Sequence, residues 1–181
     1  MTWPTSTALR NVIAVALVVL ALLLQVSVFS AFAWDGVVPD LVLLVVVAGA
    51  LARGGQFGMV LGFAAGVLLD LAPPADHTAG RWAIALLLVG YVAGLVRPDR
   101  REGRLGDRLP AMTVMATVAG CSFVGTSVFA LTGLLLHEGS DIGPMLEVVG
   151  ISLAWDLLLT PFVVPWAMVL LRRLEPERAR V

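Results

Sequence analysis

Two carboxylates stand where an apolar chain least tolerates charge. Asp156 lies about ten residues into a long apolar run that opens near Leu146, roughly 15 Å deep at the helical rise. Insertion scales penalise an aspartate at such a depth by about 2.5–3.5 kcal/mol, so it must face a protein interior and is by default a functional candidate. The plainer reading is a structural acid, hydrogen-bonded by Thr126, Ser127 or Trp155. Asp70 closes another apolar run, and Arg81 opens the next one across a short loop. Pairing these two would make both charges tolerable near an interface. An ion or proton carrier would rest on Asp70 and Asp156 alone.

Other chemistry is thin. His77 and His137 each stand without a second ligand at a metal-like spacing, so no metal site is assigned. Cys121, the single cysteine, sits inside an apolar run and reads as a small packing residue. No serine or cysteine has a base close by in sequence, and the glycine-lysine loop that cradles nucleotide phosphates is missing. No catalytic residue, no cofactor and no enzymatic activity are expected.

A third pattern is made of missing side chains. Gly58, Gly62 and Gly66 recur every four residues and lead to Asp70, so they share one helical face. Small residues let helix backbones approach closely, the main route to helix association where lipid removes the hydrophobic drive. Gly90 and Gly94, Ala116 and Gly120, and Gly150 and Ala154 repeat the spacing. These stripes predict close packing within the bundle, with docking of another protein's helix as the alternative.

The elements that carry these residues follow from hydropathy. The chain of 181 residues is 59% hydrophobic, well above the 45–50% usual for soluble domains. Six apolar segments, roughly 12–32, 37–52, 56–72, 81–96, 110–136 and 146–171, predict an all-α polytopic bundle in one integral membrane domain. Each crossing needs about 20 residues, and the second and third segments are shorter than that. Arg53, Gly54, Gly55 and Gln56 form a tight turn between them, so they either span or dip in and return. Ala31, Phe32 and Ala33 resemble a signal-cleavage site, but the long apolar run before them favours an uncleaved first helix.

All twelve basic residues are arginine. Arg10, Arg53, Arg97, Arg100, Arg101, Arg104, Arg108, Arg172, Arg173, Arg178 and Arg180 fall in alternate inter-helix segments. Only Arg81 falls in the other set, with Asp35, Asp76, Glu138 and Asp141. Short basic loops are not translocated, so both termini are expected in the cytoplasm, and the location is a bacterial inner membrane. Trp34 and Trp82 at the outer interface, with Trp3 and Trp166 towards the inner one, agree.

Order and spacing then point to a family. Gln25-Val26-Ser27 late in the first segment and Pro39-Asp40-Leu41 opening the second resemble the bacterial rod shape-determining protein MreD family. So do Gly58, Gly62, Phe63, Gly66 and Asp70, followed by Gly80 and by Gly90, Tyr91 and Gly94. The resemblance implies a non-enzymatic subunit of the cell-elongation machinery, or elongasome, that serves peptidoglycan synthesis. Its implied partners are MreC, a single-span protein, and, less directly, the MreB filament and peptidoglycan polymerase and transpeptidase. Members are also similar in fold to the substrate-binding subunits of energy-coupling-factor vitamin transporters, which makes a vitamin binder the alternative. Against it, the outer loops near Trp34–Val38 and Leu71–Gly80 are short and poor in aromatic residues.

Overall fold

The computed structural model describes residues 7–34, 36–72, 78–96, 109–136 and 142–173. Among them are six α-helices: α1 (Thr7–Ser27), α2 (Leu41–Arg53), α3 (Gly55–Leu71), α4 (Arg81–Leu95), α5 (Ala111–Leu135) and α6 (Ile142–Arg173). A 3-10 turn, Phe29–Phe32, follows α1. Arg97, Arg100, Arg101, Arg104, Arg108, Arg178 and Arg180 lie outside the described residues, as do Asp35, Asp76, His77, His137, Glu138 and Asp141.

The all-helical expectation agrees with this architecture. By length and composition, only α5 and the Leu146–Arg172 part of α6 are sufficient by themselves to cross a membrane. The other helices are apolar but shorter. The largest departure from the expected boundaries is in the first segment, whose helix runs five residues earlier at both ends, and the second segment shifts too. The helix of the second segment starts at Leu41 rather than Val37, because Pro39 and the capping Asp40 precede it in non-helical backbone. The first segment likewise breaks after Ser27 and continues as the 3-10 turn. Pro161 and Pro165 do not end α6, which runs on to Arg173.

α2 is the centre of the bundle. Every residue from Leu41 to Ala52 is buried, as expected of a helix that is apolar all round. The other five helices all pack against it. Beyond Arg53 the chain reverses at Gly54, whose φ of 98° suits a residue without a Cβ. Outward-facing residues such as Val60, Phe63, Leu131, Leu158 and Phe162 are exposed. In water that belt would be an aggregation liability, whereas hydrocarbon solvates it.

α3 and α4 are pressed backbone to backbone. A Cβ on Gly62 would run into the carbonyl of Leu86, and one on Gly66 into Ala83. Gly58 and Gly90 face each other, as do Gly55 and Gly94. Gly58, Gly62, Gly66, Gly90 and Gly94 are thus occupied by one intramolecular contact. Two of the predicted packing stripes behave differently. Nothing lies within 4 Å of where a Cβ on Gly120 or Gly150 would stand, and Ala116 and Ala154 are exposed. These two stripes face away from the bundle, because α5 and α6 meet through other faces.

Candidate functional site

The first turn of any helix leaves amide N–H groups without intrahelical partners. For α2 that turn is inside the protein, so side chains must supply the acceptors. Asp40 caps its own helix, Oδ1 accepting from the Leu43 amide at 2.9 Å. Gln25 Oε1, reaching across from α1, accepts from Val42 N–H at 3.3 Å. Leu41 N–H donates to the Pro39 carbonyl at 3.2 Å. Asp156 Oδ1, from α6, accepts from the backbone N–H of Asp40 itself at 3.0 Å. Every amide from Asp40 to Leu43 therefore has a partner.

Asp156 does more than cap. Its Oδ2 accepts from Ser122 Oγ on α5 at 2.6 Å, and its backbone carbonyl accepts from Thr160 Oγ1 at 2.6 Å. The side chain is fully buried, at 0% exposure. A single carboxylate thus joins α2, α5 and α6 at one point. The sequence placed Asp156 in the interior but named the wrong partners. Thr126 turns to the Ser122 carbonyl instead, and the Trp155 indole N–H is buried with no acceptor among the described residues. A helical hydroxyl at Ser122 and the backbone of a distant helix are the partners. Gln25 and Ser122 were missed as site residues. Their signal was an uncharged polar side chain inside an apolar run, and such side chains are placed only by three-dimensional packing.

A second cluster sits at the Asp70 end of α3. Asp70 Oδ2 accepts from Gly80 and Ala83 amides at 2.9 and 3.1 Å, and Oδ1 from the Trp82 amide at 3.1 Å. This carboxylate caps α4 from outside it, where the positive end of the helix dipole favours an anion. Arg81 reaches across to α5. Its guanidinium donates to the Phe129 carbonyl at 2.6 Å and to Thr132 Oγ1 at 3.4 Å, and lies 3.9 Å over the Phe129 ring. Phe129 in turn stacks on Trp82 at 4.5 Å. Gly133 leaves the space, since a Cβ there would strike the guanidinium. Asp70 and Arg81 therefore tie α3, α4 and α5 together.

These two acids lie in separate hydrogen-bonded clusters, each spent on closing a helix end. Among the described residues, no group of histidine, cysteine, aspartate or glutamate is arranged to hold a metal. Both clusters read as structural locks of the helical bundle.

Comparison with protein families matches residues 5–174 to the family described as rod shape-determining protein MreD. The chain belongs to that family. The match covers nearly all of its 181 residues, well beyond the stretch in which the glycine spacing first pointed there. MreD is a membrane protein that determines bacterial rod shape. No curated protein and no solved structure gives a significant match.

Replacing Asp156 separates a lock from a carrier. Asp156→Leu strands the Asp40 N–H and the Ser122 hydroxyl, and a buried unsatisfied group costs about 1–3 kcal/mol. Asp156→Asn keeps an acceptor for Asp40, and the hydroxyl can rotate to accept from the amide. Thermal unfolding of the purified protein should show a clear loss for Asp156→Leu and a smaller one for Asp156→Asn, which should still restore cell shape in a deletion strain. A well-folded but inactive Asp156→Asn would instead indicate a proton relay or a contact that needs the charge, because an amide can neither release a proton nor carry that charge.

Proposed function

We propose that this chain is a non-enzymatic membrane subunit of the bacterial cell-elongation complex. It crosses the inner membrane six times with both termini in the cytoplasm and docks an MreC-like single-span protein by helix packing. Through that partner it is linked to the MreB-like filament and to the peptidoglycan polymerase and transpeptidase. Membership of the family supports the cellular role. Nothing in the match or the fold favours the vitamin-binding alternative.

The arginine split supports the topology, and the geometry of α2 removes the objection that its segment is short. Its 13 residues rise about 20 Å. The preceding stretch Val37–Asp40 can add up to about 14 Å, enough together for a core of about 30 Å. Non-helical backbone at membrane depth is tolerated where protein satisfies its polar groups; here Asp156 meets the Asp40 amide and the Trp34 carbonyl meets that of Val37. Reporter fusions after Pro74 and Ser140 should be active only outside the cytoplasm, and those after Glu102 and Val181 only inside. Periplasmic phosphatase activity at Glu102 would overturn the arrangement.

The docking half rests on one observation, the open face of α6. The Gly58 stripe is already used by α4, so a partner helix needs small residues that the bundle leaves free. Gly150, Ala154 and Leu158 line a groove of about 300 Å³ beside Trp34 and Trp155. Trp34 and Trp155 give the groove an aromatic, apolar wall suited to an apolar helix. Gly150→Leu would fill that face without touching the fold. It should leave abundance near normal and abolish co-purification of the single-span partner. Gly62→Leu should lower abundance itself, since overpacking typically costs about 1–3 kcal/mol. Full partner capture by Gly150→Leu would remove this face from the interface.

A further inference from the structure

Below the Ser122–Asp156 hydrogen bond, α5 and α6 leave a cavity of about 500 Å³ between them. That volume lies within the roughly 300–1,000 Å³ usual for ligand sites. Its walls include Met115, Val164, Pro165 and Met168. Met115 and Pro165 are exposed on the lipid-facing flank, whereas Val164 and Met168 form the buried floor. Apolar walls alone would accept any hydrocarbon.

One end of the cavity differs. Arg172 and Ala111 both line it, and Arg172 is exposed. Among the described residues, the Arg172 guanidinium has no hydrogen-bond or ion-pair partner. Ala111 begins α5, where Pro110 offers no side-chain cap, so the positive end of the helix dipole faces the same end of the cavity. The flanking sequences share this sign. Residues 97–108 and 172–180 hold nine arginines against five carboxylates.

A hydrocarbon slot capped by a guanidinium matches an amphiphile with an anionic head. We propose that this cavity binds an anionic phospholipid, one acyl chain lying between α5 and α6 and the phosphate held at Arg172. Placing that lipid in the inner leaflet rests on the topology proposed above; the binding does not. The site lies apart from the Gly150 face, so lipid binding and partner docking can fail independently.

The test uses the purified full chain in neutral detergent, read by native mass spectrometry after exchange with phosphatidylglycerol, phosphatidylcholine or a polyprenyl phosphate. The folded protein should retain phosphatidylglycerol in preference to phosphatidylcholine. Arg172→Gln should reduce that preference about fivefold, the scale of one basic residue near an anionic surface. Met115→Trp, which fills the slot from its exposed side, should reduce retention of the lipid while the protein still unfolds at its normal temperature. Equal retention of the two phospholipids would overturn the proposal, as would an unchanged preference in Arg172→Gln or undiminished binding in Met115→Trp. Retention of the polyprenyl phosphate in place of phosphatidylglycerol would overturn the choice of occupant.

Discussion

A helix that begins inside a membrane protein has nowhere to send its first amides except to other protein groups. In water those N–H groups would be solvated, but in hydrocarbon each unmet one costs several kcal/mol. The arrangement of this bundle follows from that constraint. α2 is buried along its length, and its N-terminus is met by Gln25 from α1 and Asp156 from α6. Ser122 from α5 holds the other oxygen of Asp156. Three surrounding helices are thus fixed in rotation and depth relative to the central one. Apolar packing alone, which tolerates sliding, would fix them less sharply.

The same device recurs at the C-terminal end of α3. Asp70 closes the first turn of α4 from outside that helix, and Arg81 holds α5 through Phe129 and Thr132. From Asp70 back to Gly55 the glycines allow α3 and α4 to touch through their backbones. That glycine face is therefore not available to a partner helix. The open faces are on α5 and α6, where small residues and grooves stay uncovered. The division is between glycine faces already used inside the bundle, on α3 and α4, and small-residue faces left uncovered, on α5 and α6.

Much of this was legible in the sequence, and the reasons differ by feature. Helix number and order follow from hydropathy and breaker residues, so the six segments were readable within a few positions. Spacing by four places Gly58, Gly62 and Gly66 on one face whatever the neighbours do. The cost of a buried charge is also local, which is why Asp156 could be placed in the interior unaided. Its partners could not be read, because Asp40 and Ser122 are 116 and 34 residues away. Periodicity likewise shows that Gly120 and Gly150 form stripes, but not whether those stripes turn inward. Only the meeting of α5 and α6 decides that, and it turns them out.

The central claim is that α2 starts inside the protein with its amides held by Asp156 and its neighbours. Amide hydrogen–deuterium exchange of the chain in lipid nanodiscs measures this directly. In the wild type, peptides covering residues 38–44 should exchange as slowly as the middle of α2. In Asp156→Leu those amides should exchange faster, while peptides from α3 and α4 keep their protection. Rapid exchange of residues 38–44 in the wild type, or identical protection with leucine at position 156, would contradict it.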